Sequence, residues 1–120
     1  MILTALGKGT GGGPLYPDFI GRRATFVGNG TGPTSYVLGT GDLVTLNLPN
    51  YYIDVLLGGV TSVSGKYVVY PDPAGTGTRQ QWYLRWFYAL ASAGTVGNEV
   101  ASTTNLSGES VQLGALVGQF

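Results

Sequence analysis

The chain of 120 residues has no cysteine and no histidine. Without thiols there is no disulfide framework, and without thiolate or imidazole the commonest transition-metal ligands are missing, so neither a metal nor a cofactor is expected. The same absences remove Cys–His and Ser–His nucleophilic machinery. Charge is scarce as well: six basic and six acidic residues cancel, with only two lysines and two glutamates among them. A groove that tracks phosphates needs a net positive field, which excludes nucleic acid as the expected partner. No basic segment leads into a long apolar run, so neither a signal peptide nor a membrane span is read, and synthesis in a reducing cytoplasm is the simplest expectation.

Glycine is what the chain has in excess, at 21 residues alongside six prolines. Leu, Ile, Val and Phe still make up 33 residues, enough apolar material for a folded core rather than disorder. With so few Glu and Lys to build solvated helices, the composition predicts an all-β chain covered by Thr, Ser, Asn and Gly. Turn signals every 8–12 residues predict a compact β-sandwich or small β-barrel of about eight short strands.

Residues 1–21 read as a Gly-rich extended N-terminal arm, and residues 22–120 as a single β domain. Gly7-Lys8-Gly9-Thr10-Gly11-Gly12-Gly13 precedes Pro14 and Pro17, and apolar islands stand at Ile2-Leu3 and around Tyr16 and Phe19. A flexible chain carrying such islands suits an arm laid on a neighbour, with Ile2, Leu3, Tyr16 and Phe19 as its contacts. In the body, strands are expected at 22–27, 35–38, 43–48, 51–57, 60–63, 66–70, about 81–90 and 110–117. Gly28-Asn29-Gly30 is read as a turn, and Pro71 to Thr78 as an exposed loop, since proline cannot continue a ladder.

The large side chains concentrate at Gln81 to Leu90, which holds both tryptophans, Tyr83, Phe87 and Tyr88. By parity Trp82, Leu84, Trp86 and Tyr88 share one wholly apolar face, while Gln81, Tyr83, Arg85 and Phe87 share a mixed one. A helix over 81–91 is the competing reading. The mixed face, Tyr83, Arg85 and Phe87, is the candidate oligomer interface. Its two rings could instead form a platform for a sugar, and Arg85 could pair with Asp54 or Glu99.

Nothing else in the sequence carries chemistry. Gly7-Lys8-Gly9-Thr10 lacks the preceding strand, spacing and following helix of a phosphate loop. The carboxylates Asp18, Asp42 and Asp72 lie in turn-like contexts, and no general base accompanies them, so no catalytic residue is assigned and the chain is not read as an enzyme.

Taken as a whole, the Gly-rich arm, compact β body, absent cysteine and histidine, and near-neutral Thr/Gly/Ser-rich surface resemble the small virion proteins of tailed bacteriophages. The resemblance is greatest to capsid decoration (cement) proteins. It implies a chain made in the host cytoplasm that ends on the capsid surface of the virion. There it would bridge copies of the major capsid protein, as a homo-oligomer and most often a trimer. Neck and tail proteins, including receptor-binding β modules of the tail, share the same character.

Overall fold

The computed structural model describes residues 1–5, 23–48, 50–74, 81–89 and 97–119. Among them every regular element is a strand: β1 (Ile2–Ala5), β2 (Arg23–Thr31), β3 (Asp42–Leu43), β4 (Thr45–Leu46), β5 (Tyr51–Leu56), β6 (Val60–Thr61), β7 (Tyr67–Ala74), β8 (Gln81–Tyr88) and β9 (Ser110–Gln119). They form two sheets, ordered β4-β1-β2-β9-β5 and β3-β8-β7-β6. The all-β expectation holds, and the aromatic stretch is a strand rather than a helix.

Two crossings tie the sheets into a nearly closed sandwich. Asp42–Leu43 pair with β8, and two residues later Thr45–Leu46 pair with β1 in the other sheet. On the far side, Leu57 N–H still donates to Gly114 O of β9 at 2.9 Å, and Val60–Thr61 then pair with β7. Segments that switch sheets at a corner are how two sheets enclose one core.

That core is legible in the alternation of β9, where Val111, Leu113, Ala115 and Val117 are each at most 3% exposed. Leu84 and Trp86 of β8 share the same core at 0%. The Trp86 ring meets Tyr67 of β7 edge-on, with centroids 5.9 Å apart. Burying a ring of roughly 200 Å² contributes up to about 5 kcal/mol.

Five expectations need correction. Met1–Ala5 are not an arm: β1 lies inside its sheet, antiparallel to β2 and parallel to β4. Alternation sends Leu3 into the core at 0% exposure and leaves Ile2 outside at 63%, so Leu3 is a core residue rather than a partner contact. Residues 6–22, with Tyr16 and Phe19, lie outside the described residues. β2 does not stop at Gly28-Asn29-Gly30 but pairs with β9 through to Thr31. Glycine is needed there for its missing side chain, since a Cβ at Gly28 would sit 2.5 Å from Phe26 Cε1.

In β5 the pairing with β9 shifts register between Ile53 and Val55, leaving Asp54 as the extra residue of a bulge. The bulge flips the parity that 51–57 would otherwise keep: Ile53 and Leu56 point inward, while Val55 and Leu57 are 42% and 60% exposed. Residues 71–74 are not loop but the end of β7, with Pro71 opposite Leu84 and Pro73 opposite Trp82. The carbonyl of Val69 accepts from Gly59 on the β6 side, so Pro71 and Pro73, of the same parity, turn their missing N–H away from β8. β6 ends before reaching them, which makes this an edge that tolerates proline. The ring of Pro71 lies against Gly58, where a Cβ would come within 1.8 Å of Cδ. Lastly, 35–38 is an irregular segment rather than a strand; its role emerges at the edge of β8.

Candidate functional site: the outer face of the four-stranded sheet

In β8 the residues Tyr83, Arg85 and Phe87 form hydrogen-bonded pairs with β7, and their side chains stand on the sheet's outer face. Directly opposite them on β7 are Asp72, Tyr70 and Val68. Cross-strand partners share a face, so Arg85 lies at the centre of a patch of Tyr83, Phe87, Tyr70 and Asp72. All five are half-buried or, for Tyr70, 39% exposed. The structure therefore brings the three expected interface residues together on one surface.

The other edge of β8 is sealed in two pieces. Val44 N–H donates to Trp82 O at the start, while Val100 N–H donates to Trp86 O and Tyr88 N–H to Asn98 O at the end. Between the pieces Trp86 N–H has no strand opposite it. The hydroxyl of Tyr36 takes that place, accepting from Trp86 N–H at 3.0 Å. Tyr36, 1% exposed, is held in turn by its own backbone, its N–H donating to Thr104 O and its carbonyl accepting from Thr103.

The same hydroxyl donates to Glu99 Oε2 at 3.0 Å, and Gly39 N–H donates to that oxygen at 2.7 Å. Glu99 Oε1 accepts from Arg85 Nη2, while Arg85 Nη1 lies 3.7 Å from Asp72 Oδ2. A continuous polar chain thus runs from buried Tyr36 through Glu99 to Arg85 and the surface carboxylate of Asp72. Of the two partners expected for Arg85, Glu99 is the one that meets it, and Asp72 is added.

Burial pushes the Tyr36 phenol up to about 12, helped by its bond to Glu99 and opposed by the N–H of Trp86. Burial alone would also raise Glu99, but the bonds from Arg85, Gly39 and Tyr36 outweigh it and hold the carboxyl below its usual range. Its bond to Glu99 raises the guanidinium of Arg85. Both ends of the pair are therefore ionised across ordinary pH. The guanidinium is fixed in orientation while remaining 32% exposed.

Tyr70 packs beside Phe87, meeting it edge-to-face at 80° with centroids 5.7 Å apart. Among the described residues no group of three or more acidic side chains is placed to hold a metal ion. Asp42 is in β3 rather than a turn, buried and bonded to the Met1 ammonium at 2.8 Å; burial raises its carboxyl and that bond opposes the rise. Glu109 accepts from Ser64 Oγ at 2.6 Å. Tyr36 had no signal in the sequence, because its contacts are 50 and 63 residues away. No protein-family model matches the chain, and no curated protein or solved structure matches it either.

Proposed function

We propose that this chain is a structural virion protein, a capsid decoration (cement) protein that stabilises a capsid by docking across neighbouring copies of the major capsid protein. One observation carries the docking role: Tyr83 and Phe87 flank a guanidinium whose orientation Glu99 and Asp72 already fix. Tyrosine, phenylalanine and arginine are the side chains enriched at protein interfaces, and tyrosine and arginine among the residues that dominate binding energy. A pre-ordered arginine loses less freedom on binding than a free one. The virion setting comes from the resemblance of the whole chain to tailed-phage decoration proteins, as does the expectation of a homo-oligomer. Among the described residues this face carries the docking role, since Leu3 is committed to the core.

The test is co-sedimentation with expanded capsids assembled from the major capsid protein of the same genome. Saturable binding is expected, weakened about tenfold or more by Tyr83→Ala or Arg85→Ala. Absence of binding by the wild-type chain, or wild-type affinity in both variants, overturns the proposal.

A further inference from the structure

Around Arg85 the outer face of β7 and β8 sets one cation between two carboxylates, Glu99 and Asp72, so the three groups sum to a single negative charge. They do not share it equally. Glu99 is 11% exposed and both its oxygens are occupied, Oε1 by Arg85 and Oε2 by Tyr36 and Gly39. Asp72 is 44% exposed, and its Oδ2 lies 3.7 Å from Arg85 Nη1, beyond the reach of a hydrogen bond. No described residue donates a hydrogen bond to that carboxylate. The surplus charge and the unused acceptors therefore coincide at Asp72. Lys66, just before β7, does not offset them. At ~3.3 Å per residue it stands roughly 20 Å along the strand, beyond the ~8 Å over which exposed charges act in physiological salt.

Tyr83 is paired directly across from Asp72. Directly opposed residues hold their Cβ atoms about 5 Å apart on one face, so a group bound at the carboxylate comes within reach of the tyrosine ring. The face of an aromatic ring is itself negative and attracts cations. A carboxylate with spare acceptors beside such a ring is a seat for an ammonium or guanidinium group, which brings donors only. We infer that the partner protein seats a basic side chain, lysine or arginine, on Asp72 and Tyr83. This seat rests on the docking role proposed above and sets the sign of the charge that the partner presents. Arg85, whose charge Glu99 already matches, does not select an acidic partner.

Co-sedimentation of Asp72→Asn with expanded capsids of the same genome, over a series of salt concentrations, tests it. Asparagine keeps the size of the side chain and removes its charge. Affinity is expected to fall about threefold to tenfold at low salt, and Asp72→Lys should lower it further. Wild-type binding should weaken as salt rises, and that dependence should flatten in the Asn variant. In an Arg85→Met background the same loss is expected on Asp72→Asn, whereas a carboxylate that only steadies Arg85 would have no effect there. Urea midpoints close to that of the wild type confirm that each variant folds. Unchanged binding by Asp72→Asn overturns the seat and leaves the docking role standing. Tighter binding does the same and marks an acidic partner surface. A wild-type chain that does not bind capsids overturns both.

Discussion

Tyr36→Phe removes one oxygen and tests how the edge of β8 is closed. Phenylalanine fills the same space, so the packing of this 1% exposed ring survives. What disappears is the acceptor for the buried Trp86 N–H and one donor to Glu99, which keeps Arg85 and Gly39. An unmade bond to a buried backbone N–H costs about 1–3 kcal/mol, and the lost donor to a carboxylate brings the total to about 2–4 kcal/mol. Against a net stability of about 5–15 kcal/mol that is a large share. At roughly 3–4 °C per kcal/mol for a chain of this length, the melting temperature should fall by about 6–15 °C. Urea unfolding followed by tryptophan fluorescence reads the change where it happens, with the m-value unaltered.

Alkaline pH gives a second reading of the same hydroxyl. The folded Tyr36 ionises near 12 against an ordinary 10.0. A pKa raised by folding stabilises the protein fully below the unfolded value and loses that contribution as pH rises through the folded one. The wild type should therefore lose on the order of 2–3 kcal/mol between these two pH values from this group alone. The Phe variant should not show that loss. A variant within about 0.5 kcal/mol of the wild type at neutral pH, with the same alkaline decline, would refute the reasoning.

Two further outcomes follow from the core and the polar chain. Leu3→Ala should cost about 2–5 kcal/mol in urea unfolding, whereas Ile2→Ala should stay within about 0.5 kcal/mol; a free arm would make both neutral. Glu99→Gln should cost about 1–3 kcal/mol at neutral pH by weakening the bond to Arg85 and leaving Tyr36 and Gly39 a poorer acceptor. Because folding lowers the Glu99 carboxyl below 4.5, its contribution is present above that value and is lost as pH falls through the folded one. Urea midpoints measured from neutral to acid pH should therefore decline less steeply in the Gln variant than in the wild type.

The parts of the fold that a period of two describes were legible in the sequence. From Tyr83 to Phe87 in β8 and from Val111 to Val117 in β9 burial alternates as parity selects, and the pattern breaks only at the strand ends, where Tyr88 is 44% exposed and Gly118 is buried. β5 was not legible, because one bulged residue at Asp54 exchanges the two faces, and nothing local marks a bulge whose cause is its pairing with β9. Gly28, Gly30, Pro71 and Pro73 misled for one shared reason. Each residue type usually signals a turn, yet here the glycines make room for neighbouring side chains and the prolines occupy an uncovered edge. The site was half legible. Tyr83, Arg85 and Phe87 share a face by spacing alone, and Glu99 is one of the two carboxylates that the sequence offers Arg85. The role of Tyr36 depends on a gap between two segments along β8, a property of the assembled sheet that no local pattern encodes.

The docking claim is tested most directly by electron cryo-microscopy of expanded capsids saturated with the wild-type chain. Density is expected at fixed positions bridging capsid subunits, with the outer face of β7 and β8 turned toward the capsid and Tyr83, Arg85 and Phe87 in the contact. Bare capsids, or density in which those three side chains face solvent, would contradict it.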